Sequence, residues 1–170
     1  MLRQSGLNHT SSFYSMSEIT QDSNGFSKSF AVTHADHEFF FHLILFANKQ
    51  ILNISIDGIL DTTFKIPVST KASINYESMM DLIEREDVDD DGQEFTSAGQ
   101  LPPEPQMIIG NYSNMKISIV ASQVGKLMSI HSPREVILSI ASKWFGKGDQ
   151  VCEDDFDKLS FILENVKKLL

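Results

Sequence analysis

The sequence predicts an α+β domain: a largely antiparallel β-sheet of about six strands with two main helices packed on one of its faces. Three observations lead there. The stretch Phe39–Val68, FFFHLILFANKQILNISIDGILDTTFKIPV, is dense in apolar, β-branched and aromatic residues at a period of two, the period of a strand. Two later stretches repeat apolar residues at three and four, the period of an amphipathic helix. The order is three or four strands, an acidic loop, a short strand, a helix, a strand and a closing helix, which supplies enough helix to cover one face of the sheet.

At 170 residues the chain suits one domain with one core. Cys152 is the single cysteine, which rules out an internal disulfide framework and fits a reducing compartment. No stretch has the ~18–20 consecutive apolar residues of a membrane span, and the N-terminus, rich in Ser, Thr, Asn and Gln, lacks the apolar centre of a secretory signal. The expectation is a soluble protein without membrane contact, in the cytoplasm with the nucleus as a further compartment. The formal charge is −9, and its location matters more than its size. Residues 77–104 hold ten of the 23 acidic residues and one base, Arg85, leaving 13 acids against 13 bases elsewhere. The folded part is thus neutral, which argues against a nucleic-acid module with a basic face.

Residues 1–25 are polar, lack periodicity and end in Asp22-Ser23-Asn24-Gly25, so they read as a flexible tail ahead of a single domain over 26–170. Ser27–Thr33 carries Phe30 and Val32 on one parity and suits a first strand. In Phe39–Phe46 both alternating sets are largely apolar: Phe39, Phe41, Leu43 and Leu45 on one side, Phe40, His42, Ile44 and Phe46 on the other. After a turn at Ala47–Gln50, Leu52, Ile54 and Ile56 alternate with Asn53, Ser55 and Asp57, a strand half in water. Gly58 is either a bulge in one long bent strand or part of an Asp57-Gly58 turn ahead of a separate strand within 58–68. The acids, glycines and prolines of about 77–105 predict a disordered acidic insertion, with a short helix over Asn75–Arg85 at its start. Gln106–Gly110 re-enters as a short strand. Ile117, Val120, Ala121, Val124, Leu127 and Met128 then predict a helix over about 113–129 with Ser113 or Asn114 as cap. Ile117 and Ile119 also alternate as in a strand, but the run to Met128 favours the helix. Glu135–Phe145 returns to β, with Val136, Leu138 and Ile140 on one parity and Ile137 and Ala141 on the other. After a Gly146-Lys147-Gly148 turn, a helix over 154–170 has acids at its start and Lys167 and Lys168 at its end. Its core stripe is expected at Phe156, Leu159, Leu163, Val166 and Leu170, widened by Phe161, Ile162 and Leu169.

Chemistry-bearing motifs are scarce. Thr33-His34-Ala35-Asp36-His37, followed by His42, shares part of the T-H-x-H-x-D-H pattern of metallo-β-lactamase-like hydrolases. One of the three clustered histidines is missing, and downstream only His131 offers another imidazole, whereas a metal site needs three or four convergent ligands. These histidines are expected to face water at a polar hairpin turn. Asp87-Val88-Asp89-Asp90-Asp91-Gly92 matches the first half of an EF-hand loop, but position twelve is Ala98 and position eight is Glu94, so no calcium site is expected. No G-x-S-x-G, Walker A, G-x-G-x-x-G or Cys-based site occurs. The expectation is a protein with no catalytic residues, cofactor or metal.

Two helices cannot cover both faces of the sheet. With Phe39–Phe46 and Val136–Ala141 apolar on both sides, the second face should be a large apolar patch hidden against a partner. Its candidate residues are one parity each of Phe39, Phe40, Phe41, Leu43, Ile44 and Leu45, and of Val136, Ile137, Leu138 and Ile140. Burying four large side chains there would contribute on the order of 6–10 kcal/mol before association costs.

The order and spacing of FFFHLILFANKQILNISIDG, its fungal-like continuation ILDTTF, QMIIG leading into NMKISIVASQVGKLM, REVILSIASKW and DFDKLSFILENVKKLL resemble the third-type proteasome assembly chaperones over about 26–68 and 106–170. The long acidic insertion departs from the shorter connection of the animal members. The resemblance implies a small α+β chaperone without an active site, paired through its open sheet face with a similarly folded fourth-type chaperone. The pair would bind proteasome α-subunits and promote formation of the α-ring of the 20S core particle. The competing reading is a longin-, roadblock- or profilin-like scaffold in trafficking or signalling, which also sets helices against a sheet.

Overall fold

The computed structural model describes residues 15–68, 104–146 and 150–170. Eight strands, β1 (Ser15–Met16), β2 (Thr20–Gln21), β3 (Ser27–His34), β4 (His37–Leu45), β5 (Lys49–Ile56), β6 (Thr62–Ile66), β7 (Gln106–Ile109) and β8 (Glu135–Ile140), form one sheet in the order β1-β3-β4-β5-β8-β6-β7, with β2 also paired to β3. Only β5 and β8 run parallel; the other pairings are antiparallel. Helices α1 (Met115–His131) and α2 (Asp155–Leu169) pack on one side. The α+β class and largely antiparallel sheet are as the sequence predicts, with eight strands in place of about six.

Two tight turns set the registers. Ala35 and Asp36 both have positive φ, 48° and 63°, and so do Asp57 and Gly58, 53° and 74°. Two consecutive left-handed residues are the signature of the turn whose twist matches that of a hairpin. At the second turn Ile56 and Ile59 exchange both backbone hydrogen bonds, at 3.3 and 3.0 Å. The hairpin ends there, because β6 leaves β5 and pairs with β8, which lies between them. Gly58 therefore belongs to a turn between separate strands.

The registers decide which parity faces the helices. Phe39, Phe41 and Leu43 of β4, Leu52, Ile54 and Ile56 of β5, Phe64 and Ile66 of β6, and Val136, Leu138 and Ile140 of β8 are all buried, none more than 4% exposed. They meet Ile117, Val120, Ala121, Val124 and Met128 of α1 and Phe161, Ile162, Val166 and Leu169 of α2 in one core. Full burial of each large side chain there contributes about 1.5–3 kcal/mol. Phe39, Phe41, Leu43, Val136, Leu138 and Ile140 are thereby removed from the candidate partner face. Leu45 lies on the same parity, partly buried against the edge of the core.

Several expectations need correction. The tail expected through residue 25 contains β1 and β2, which are too short to show periodicity; Ser17 Oγ holds this segment by accepting from the Ala31 N–H at 2.7 Å. The strand expected through Phe145 stops at Ile140 and gives way to a short 3₁₀ turn, Lys143–Phe145. The Asp61 carboxylate turns the chain there, accepting from the Ser142 backbone N–H at 2.8 Å and from its hydroxyl at 3.0 Å. Helix α1 follows the prediction, with Asn114 as cap: its side chain accepts from the Ile117 N–H and donates to the Gly146 carbonyl.

Helix α2 turns Phe161, Ile162, Val166 and Leu169 of the expected set inward and leaves Leu159, Leu163 and Leu170 partly buried against the core, but Phe156, 74% exposed, falls outside it and Asn165 falls inside. An aromatic cluster sets this phase: Phe161 lies edge-on to Phe39 at 4.9 Å and stacks on His34 at 4.2 Å, and Trp144 stands edge-on to Phe39 at 4.8 Å. Asn165 tolerates burial because its amide donates to the Phe161 carbonyl at 2.8 Å and accepts from Lys168 at 2.9 Å. The acidic insertion, with the short helix and calcium-like motif read in it, lies outside the described residues, as does most of the Gly146–Gly148 turn.

Candidate interaction face

Among the described residues both helices pack on one face of the sheet, which leaves the other face without helix cover. Backbone pairing arranges its side chains in transverse rows. One row runs Ala31, Phe40, Ser55; the next Ser29, His42, Asn53, Ser139, Thr63; the third Ser27, Ile44, Ile51, Ile137, Lys65. Ile109 of β7 continues the middle row at the edge, beyond a β-bulge. The face is less apolar than the sequence suggested. Its apolar groups are Phe40, 42% exposed, with Ala31 beside it, and the continuous line Ile44-Ile51-Ile137, four residues along β4 and beyond the polar row. A Lys65–Glu135 ion pair at 3.1 Å closes one end.

Of the candidate partner residues, the structure brings together Phe40, Ile44 and Ile137 on this face. Ile51 belongs with them and was not singled out, because its neighbours of like parity, Asn53 and Ser55, are polar. The signal was present: a short hairpin after Leu45 sets Ile51 directly opposite Ile44.

The histidines do not converge. His42 exchanges a hydrogen bond with Ser27 Oγ at 2.9 Å on the open face. His37 bonds Asp57 at 2.7 Å across two adjacent turns. That bond, followed by the Glu38 backbone N–H, holds the Asp57 carboxyl below its ordinary range. His34 does not face water as expected: it stacks on Phe161 beside Trp144. Burial, then the charge of His37, pushes its pKa down. This imidazole lines a groove of about 720 Å³ between α2 and β3 with Met16, Val32, Trp144 and Phe161. The groove is partly open to solvent rather than an enclosed cavity.

Cys152, Asp154 and Asp155 approach one another closely enough to suggest metal ligands. The Lys116 ammonium already occupies the cluster, 2.9–3.0 Å from the Asp155 carboxylate and 3.5 Å from the sulfur. The Cys152 backbone N–H, then Lys116, keeps the Asp155 carboxyl below its ordinary range, and Asp155 in turn raises Lys116. These groups satisfy one another at the start of α2. No helix among the described residues is long and apolar enough to cross a membrane.

No curated protein matches the chain. Among solved structures, a chain from the crystal structure of a novel chaperone complex for yeast 20S proteasome assembly shares the fold. It has a TM-score of 0.59 and 21% identity, over 84% of this chain and 97% of that one. The family model for 20S proteasome chaperone assembly proteins 3 and 4 matches residues 15–167, which is most of the sequence and spans every strand of the sheet, all of α1 and α2 as far as Lys167. The chain belongs to the family of 20S proteasome chaperone assembly proteins 3 and 4.

Proposed function

We propose that this chain is a non-catalytic chaperone of 20S proteasome assembly, working in the cytoplasm or nucleus as one half of a heterodimer. Its partner is a similarly folded, fourth-type family member, and this chain takes the third-type role. The two sheets pack through their open faces, and the pair then holds proteasome α-subunits while the α-ring forms. The observation that carries this reading is the sheet face without helix cover, with Phe40 exposed and the Ile44-Ile51-Ile137 line partly exposed on it, in a chain whose family comprises two kinds of assembly chaperone. Sheets packed face to face sit about 10 Å apart and interdigitate side chains of this kind.

The test is co-expression of the full chain with a fourth-type assembly chaperone, followed by capture on an isolated proteasome α-subunit. A soluble one-to-one complex that binds the α-subunit is expected, and Phe40→Asp should abolish pairing while the chain stays folded. A lone chain that is a stable monomer at micromolar concentration and captures neither protein overturns the reading. Recovery of small GTPases or coat subunits would move the trafficking scaffold ahead of it.

A further inference from the structure

We propose that the basic end of the sheet, where β4 turns into β5, is the surface with which the paired chaperone takes hold of an acidic patch on a proteasome α-subunit; the inference rests on the function proposed above. The registers put the starts of β3, β5 and β8 and the finish of β6 at that end, and with them Lys28, Lys49, Arg134 and Lys65. Both helices finish there as well. The Lys28 ammonium donates to the Leu169 carbonyl at 3.0 Å, and the Gln50 amide to that of Ser132, the C-cap of α1, at 3.3 Å. The helices add Lys126, Lys167 and Lys168. Against these seven bases the end has four acids among the described residues, Asp22, Glu104, Glu135 and Glu164. The opposite end reverses the balance. Its turns and strand ends carry Asp36, Glu38, Asp57 and Asp61, and the head of α2 adds Glu153, Asp154, Asp155 and Asp157. Lys116, Lys143 and Lys158 are the bases among the described residues there.

The fold thus carries a charge axis along its strands. Helix dipoles account for part of it, because the last carbonyls of a helix favour lysines nearby. Lys28, Lys49, Lys65 and Arg134 come from strands and from the loop before β8, where no helix dipole asks for them. Little of this positive charge is spent inside the chain. Lys65 pairs with Glu135 at 3.1 Å, but Lys49, Lys126 and Lys167 form no ion pair among the described residues, whereas Lys116 and Lys158 at the other end both sit on carboxylates. Apolar anchors stand among the cations. Phe46 is 43% exposed, with the Lys49 ammonium 5.8 Å from its ring centre and Arg134 donating to its carbonyl at 3.0 Å, and Ile130 is 45% exposed. An aromatic ring beside an arginine, within a field of one sign, suits a protein surface that offers carboxylates and an apolar contact. The basic end also adjoins the open face, since Ile44 and Ile51 pair one step from the β4–β5 turn. A subunit seated here is continuous with the paired sheets without competing for them, and the field steers its acidic surface to the site.

The experiment measures how fast the full chain, co-expressed with a fourth-type assembly chaperone, associates with isolated proteasome α-subunits at low and at high salt. Lys49→Glu, Lys126→Glu and Lys167→Glu combined should slow association by about tenfold or more at low salt and flatten its salt dependence, with pairing to the fourth-type chaperone retained. Lys126→Glu alone should act in the same direction, which covers the case in which the triple variant does not fold. Glu153→Lys with Asp157→Lys, at the other end, should leave the rate near the unmodified value. An α-subunit that binds with its rate and salt dependence unchanged by the lysine reversals overturns this inference and leaves the proposed function standing. That is the result if these lysines serve the acids of residues 77–104, which join the fold at this same end through Val68 and Glu104. Equal slowing by the reversals at the acidic end overturns the inference in the same way. An unmodified pair that binds no α-subunit, or binds a short DNA duplex in place of one, overturns the proposed function and the inference with it.

Discussion

The two faces of the sheet share one backbone but obey different rules. Along β4, Phe39 and Phe41 are wholly buried while Phe40, between them, is 42% exposed. On the helix side nearly every position is a large apolar group locked against α1 or α2, and the polar exceptions are paired or sit at the margins. On the other side apolar and polar rows alternate, and His42, Thr63 and Ser139 already spend hydrogen bonds on neighbours. Tight apolar filling makes one face a core. The mixed pattern of the other suits the pairing proposed for it, since alternating polar rows break up the apolar area left in water.

Charge insertion gives the sharpest contrast. Phe41→Asp buries an unpaired carboxylate and should remove cooperative unfolding altogether, a loss above about 4 kcal/mol. Phe40→Asp should move the melting temperature of the lone chain by only a few degrees. Circular dichroism melts read both, and equal damage would mean that the open face is also a core. Truncation gives a smaller version of the same comparison. Leu138→Ala should cost about 2–5 kcal/mol in urea unfolding, whereas Ile137→Ala, one residue along β8, should cost the lone chain under about 1 kcal/mol.

Acid should act on the helix side first. Burial lowers the folded-state pKa of His34, so below its ordinary value of 6.5 the unfolded chain binds the proton more readily. Stability is then full above that pH and declines as the pH falls through it. His34→Gln should flatten the slope between pH 7.5 and 5; an unchanged slope would place the acid sensitivity elsewhere. The Asp57 carboxyl is shifted below its ordinary value of 3.8, so its contribution is lost only in stronger acid. The smallest effect is expected from replacing residues 86–104 by a short Gly/Ser linker. Their composition offers little apolar area to set against ordering entropy, so the melting temperature should stay within a few degrees.

Period and turn chemistry made β3 to β8, α1 and the fold class legible in the sequence, while β1 and β2 were too short to register. The twofold ambiguity of β4 was real, because both its parities are apolar; only pairing with β5, whose parities differ, assigns Phe41 to the core through Ile54. On α2 two positions escaped the pattern: Phe156, expected in the core stripe, is exposed, and Asn165, absent from that stripe, is buried. A polar residue can face inward when its amide bonds the preceding turn, and no periodicity argument carries that information. Ser139 and Asn53 face each other across β8 and β5. Their alignment into one row depends on β8 lying beside β5, a parallel pairing between segments about 80 residues apart that local pattern does not reveal.

That placement of β8 also governs how the chain can fold. The Ile56–Ile59 turn forms locally and early, and extending it would pair β5 directly with β6. The native sheet instead holds that gap for a strand synthesised some seventy residues later. On the ribosome, the free edges of β5 and β6 have a competing partner in each other until β8 emerges, so docking of β8 must open any premature hairpin before the core can close. Folding of this domain should therefore be slow for its size and limited by a long-range strand insertion, with the nascent chain most prone to mispairing just before residue 140 leaves the exit tunnel.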